Sequence, residues 1–70
     1  MTHLPVISGS LMIKILIKHG WVVTNQEGSH VKLIKYNEPH HLVVPLHDPL
    51  KRGTLHNILK SAHLNRDDLL

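Results

Sequence analysis

The sequence predicts an α+β domain of order αβββα, a three-stranded antiparallel sheet with two helices on one face. Three observations lead there. Apolar residues recur at helical spacing ahead of Gly20, and a second helical pattern, Leu55, Ile58, Leu59 and Ala62, follows Gly53. Between them lie three runs of β-formers, separated by turn residues around Gly28 and at Asn37 to His40. With both helices on one side, the other sheet face is left open.

Met1 to Ile7 holds Pro5 and no periodic pattern, so it reads as a lead-in arm. Ser8 is the expected N-cap of a helix running to about His19, which Gly20 then stops. Met12, Ile13 and Leu16 share one face of that helix, with Lys14 and Lys18 elsewhere. Leu11, Ile15 and Ile17 widen the apolar surface beyond a simple stripe, a surplus that serves as extra core or as a docking surface. Trp21 to Gln26 reads as the first strand, Glu27-Gly28 as a turn, and Ser29 to Tyr36 as the second strand. Alternation puts Val31, Leu33 and Lys35 on one side of it and His30, Lys32, Ile34 and Tyr36 on the other. Asn37 to His40 makes a second turn, and His41 to Pro45 a third strand ended by its proline. Leu46 to Arg52 is a proline-containing basic loop. Gly53-Thr54 opens the second helix, and Asn65 to Leu70 is a short tail with room for one more helical turn.

The 70 residues are expected to form one domain over 1–70. A chain of this length buries about 60% of the surface its unfolded form exposes, which predicts modest stability. Without cysteine it has neither disulfides nor a zinc-finger site, a composition suited to a reducing cytoplasm. The formal charge of +3, with eight histidines counted as neutral, favours polyanionic partners, of which nucleic acid is the commonest. No targeting segment is read, and the run Leu11 to Ile17, broken by Lys14, is too short to span a bilayer.

Gly28-Ser29-His30 is the most informative tripeptide. A histidine at the start of an alternating run stands on a sheet face, and imidazole is the side chain best suited to moving protons near neutral pH. Taken alone, a strand histidine is more often structural; its context decides. Lys51 and Arg52, at the mouth of the second helix, are placed to grip phosphates together with that helix's first amides. Trp21 reads as a packing anchor, and Tyr36 as a base-stacking surface or a cover for the sheet edge. His40, His41 and His47 fall within eight residues, but adjacent strand histidines point to opposite faces, so no metal site is assigned. His47 remains a candidate assistant to catalysis. His3, His19, His56 and His63 read as surface or capping residues.

An ordered set of residues carries a resemblance. It runs Ser8-Gly9, Ile13-Lys14-Ile15-Leu16, His19-Gly20-Trp21, Gly28-Ser29-His30, Val43-Val44-Pro45 with His47, Leu50-Lys51-Arg52-Gly53-Thr54-Leu55, Ile58-Leu59-Lys60 and Leu64. These residues resemble the HicA family of toxins, the mRNA interferases of bacterial and archaeal toxin-antitoxin pairs. The resemblance implies a fold like the double-stranded RNA-binding domain, cleavage of mRNA, and inhibition by a HicB-type antitoxin that covers the active site. It implies that His30 is the catalytic histidine. The sequence departs from the pattern in three respects. Leu11 and Ile17 stand where many members carry charge, Val31 where a histidine or other polar residue often follows His30, and His63 where a glycine is common.

RNA can be cut without a metal because its own 2′-hydroxyl attacks the adjacent phosphate. The reaction needs a base, an acid and cations near the phosphorane. His30 fits the base or acid role. Lys32, two residues along the strand, shares its sheet face and is placed to stabilise phosphate charge. The sequence thus predicts an endoribonuclease without a cofactor, with Lys32, Lys51 and Arg52 contacting RNA and no membrane association. The apolar surplus on the first helix fits a homodimer or a tight antitoxin complex. The rivals are a non-catalytic RNA-binding module of the same fold and an interaction protein docking through its first helix.

Overall fold

The computed structural model describes residues 4–70. Helix α1 spans Gly9–Lys18, and Ser8 caps it, its Oγ accepting the Leu11 N–H at 3.1 Å. Met12 and Leu16, one turn apart, are fully buried, whereas Leu11 and Ile17 stay exposed. Gly20 follows the helix with a φ of 97°, a left-handed conformation that glycine adopts without a Cβ clash.

Strands β1 (Trp21–Glu27), β2 (His30–Lys35) and β3 (Leu42–Pro45) form one antiparallel sheet in the order β1-β2-β3. The β1–β2 turn is the two residues Gly28 and Ser29, with Gly28 at a φ of 57°. The expected turn at Glu27-Gly28 is therefore displaced by one residue: Glu27 closes β1 and His30 opens β2. Helix α2 spans Arg52–Ser61 with Lys51 at its N-cap. It starts one residue ahead of Gly53, so Arg52 belongs to its first turn and not to the preceding loop.

The core joins Trp21, Val31, Leu33, Leu42 and Val44 of the sheet to Met12 and Leu16 of α1 and to Leu55, Ile58 and Leu59 of α2. Both helices lie on one sheet face, as the alternation predicts. Trp21 is buried as an anchor, with its indole N–H unpaired. Val31 is buried too, which explains the apolar residue after His30.

Two segments expected to be peripheral are structural. Ile7 is buried, and its carbonyl accepts the N–H of the equally buried Leu50 at 2.8 Å. The arm's first three residues, His3 among them, lie outside the described ones. At the other end, a 3₁₀ turn over Arg66–Leu69 carries Leu69 into the core. It is held by two reciprocal bonds: Asn65 Oδ1 accepts the Asp67 N–H at 2.9 Å, and Asp68 Oδ2 accepts the Asn65 N–H at 2.8 Å. Ahead of it, His63 takes a φ of 59° and closes α2 in a Schellman arrangement. The His63 N–H donates to the Lys60 carbonyl at 3.2 Å, and the Leu64 N–H to the Leu59 carbonyl at 2.9 Å. A histidine thus does the glycine's work.

Candidate active site on the open sheet face

β2 is the central strand, and its alternation places the site. Val31 and Leu33 point into the core, while His30 and Ile34 are exposed on the free face with Lys32 half-buried between them. His30 pairs with Glu27 on one side and Pro45 on the other, and Lys32 pairs with Asn25 and Val43. The expected sharing of one face by His30 and Lys32 is what the register gives. Together with Asn25, Glu27 and Val43 they line an open depression of about 320 Å³.

The turn that presents His30 is tied down from below. The Ser29 carbonyl accepts the Leu46 N–H at 2.6 Å, and one residue on, the His47 carbonyl accepts the Gly9 N–H at 2.8 Å. The start of α1 is therefore bonded to the segment that follows β3. His47 itself is exposed and does not line the depression.

Asn25 and Glu27 reach this face because of a β-bulge. The β1–β2 register steps from Val23 opposite Leu33 to Asn25 opposite Lys32, leaving Thr24 unpaired. The Thr24 hydroxyl donates to the Lys32 carbonyl at 3.4 Å across the irregularity. Unbroken alternation from Trp21, which faces the core, would turn Asn25 and Glu27 to the helix-covered side. The extra residue inverts that parity. Sequence reasoning missed both residues, although one signal was available: a two-residue turn at Gly28-Ser29 makes Glu27 the cross-strand neighbour of His30.

Lys51 and Arg52 stand apart from the depression, whose lining comes entirely from the sheet. Lys51 makes no side-chain cap bond, and the first turn of α2 carries no acidic residue, so the end of this helix presents positive charge and open amides. Arg52 borders a larger depression on the helical side with His56, Lys60 and Arg66. His40 and His41 line a further depression with Glu38 and His63. Among the described residues no three histidine, aspartate or glutamate side chains are arranged to hold a metal ion. Tyr36 lies almost fully exposed at the end of the sheet.

A family model described as the HicA toxin of bacterial toxin-antitoxin systems matches residues 9–64. The chain belongs to the HicA toxin family. It is accordingly a toxin of a toxin-antitoxin system. The HicA match opens on the first residue of α1 and closes on Leu64 of the Schellman turn, so it spans both helices and all three strands. His30, Lys32, Lys51 and Arg52 all fall within it. Comparisons with curated proteins and with solved structures give no match. No helix among the described residues is long and apolar enough to cross a membrane.

Proposed function

We propose that this HicA-family toxin is a metal-independent endoribonuclease that cleaves mRNA, with His30 as a catalytic residue. One observation supports this above the others. The histidine of the Gly28-Ser29-His30 motif stands free on the uncovered sheet face, beside Lys32, in a depression open to a polymer. There its imidazole exchanges a proton with the attacking 2′-hydroxyl or the leaving 5′-oxygen, and Lys32 offsets the charge that accumulates on the phosphate. Lys51, Arg52 and the open amides of α2 hold phosphates further along the strand. The products are a 2′,3′-cyclic phosphate and a 5′-hydroxyl, and DNA is spared because it lacks the nucleophile.

A HicB-type antitoxin silences the toxin by covering this face. Val22, Ile34 and Val43 expose 58%, 45% and 45% of their surface there, an apolar surround on which a protein partner can bury area.

The test is incubation of labelled mRNA with purified protein in excess EDTA, beside His30→Ala. The wild type should cut, and the variant should lose about 10²- to 10⁴-fold in rate while still binding RNA. RNA binding without cutting by either protein, with or without translating ribosomes, would replace the enzyme with a binding module. In that case Lys51 and Arg52 would govern a salt-sensitive affinity.

A further inference from the structure

In-line displacement at phosphorus puts the attacking 2′-oxygen and the leaving 5′-oxygen on opposite sides of the phosphate. One imidazole cannot serve both ends in the same step, so a site with a single histidine needs a second proton-transferring group. The depression holds two other titratable side chains, Lys32 and Glu27. Lys32 is a cation suited to the phosphate oxygens. Glu27 is a proton acceptor, and it is the direct cross-strand partner of His30.

The geometry points to Glu27 as the general base that works opposite His30. Directly opposed residues on one face of an antiparallel pair hold their Cβ atoms about 4.5–5.5 Å apart, which lets two side chains flank one bound group. Among the described residues neither Glu27 nor His30 spends its side chain on a hydrogen bond or an ion pair, with each other or with a third residue. Both are exposed and free to meet a substrate. The two-residue turn sets the carboxylate on the histidine's face, and the bulge at Thr24 lets Trp21 of the same strand keep to the core.

The step balances as follows. Glu27 takes the 2′-hydroxyl proton as the 2′-oxygen bonds to phosphorus. The bond from phosphorus to the 5′-oxygen breaks, and imidazolium His30 gives its proton to that oxygen. Lys32 remains charged throughout. The assignment rests on the nuclease reading and adds the partner residue that this reading lacks.

The experiment uses a short RNA with one cleavable linkage and its analogue bearing sulfur in place of the bridging 5′-oxygen. Thiolate leaves without a proton, so the analogue removes the need for a general acid. The full-length protein, Glu27→Gln and His30→Ala are compared, with folding checked by circular dichroism. Affinity is measured on an RNA carrying a 2′-deoxy residue at the cleaved position. Glu27→Gln should cut the normal RNA about 10²- to 10⁴-fold more slowly, with affinity unchanged. The sulfur substrate should restore His30→Ala and leave Glu27→Gln slow. Wild-type rates in Glu27→Gln would overturn the assignment, as would its rescue by sulfur, which would move the carboxylate to the leaving group. A wild type that cuts neither RNA, nor mRNA on translating ribosomes, would instead bring down the nuclease reading itself.

Discussion

Gly9 shows how a single absent methyl group shapes this molecule. A Cβ built there would run into the Pro45 carbonyl oxygen and lie 3.0 Å from the Pro45 carbonyl carbon. The start of α1 can approach the end of β3, and the Gly9 N–H can reach the His47 carbonyl, only because no side chain intervenes. Gly9→Ala should therefore cost about 1–3 kcal/mol through forced backbone displacement. Gly53 is the matched contrast, since its Cβ would meet open space and its φ is ordinary. Gly53→Ala should stabilise by about 0.4–1 kcal/mol by reducing the freedom of the unfolded chain. Urea unfolding of the two variants checks both signs, and equal effects would refute the argument.

Elements were legible wherever their signal is local. Ser8 announces the start of α1 by the chemistry of its hydroxyl, and Met12 and Leu16 announce its buried face by their spacing. β2 shows its two faces in its own alternation, so the common face of His30 and Lys32 could be read in advance. β1 could not be read this way. Beyond Trp21 every one of its residues is exposed, so burial imposes no period on the strand and nothing in its composition marks the bulge. A final helical turn had room in Asn65 to Leu70, and one forms over Arg66–Leu69, but the segment is too short to carry a period, so the burial of Leu69 was hidden. Its place in the core makes a firm prediction: Leu69→Ala should destabilise by about 2–5 kcal/mol, the range for a buried leucine, and a thermal or denaturant midpoint close to wild type would contradict it.

At the scale of the whole molecule, the helices spend their apolar faces on one side of the sheet, and the side left over carries both the proposed chemistry and the apolar surround. On the proposed reading, activity and inhibition compete for one surface. Ile34 separates the two, because it lies on that face outside the depression lined by His30 and Lys32. Ile34→Lys should leave the unfolding midpoint near wild type, since the side chain is already half exposed, and should weaken capture by the antitoxin about tenfold or more. Titration of the purified variant with the antitoxin checks this. An unchanged affinity would place the antitoxin elsewhere.

By itself the sequence determined the order of elements, the cap of α1, the buried face of β2, the position of His30 and the family motif. Each of these depends on residues close together in the chain or on spacings within one element. Only the tertiary structure decided that Ile7 and Leu69 join the core, and that a bulge lets β1 bury Trp21 while Asn25 and Glu27 stand on the face of His30. A bulge is defined by the hydrogen-bond ladder of the neighbouring strand, and the burial of a chain end by the surface it meets. Neither exists until the elements have come together.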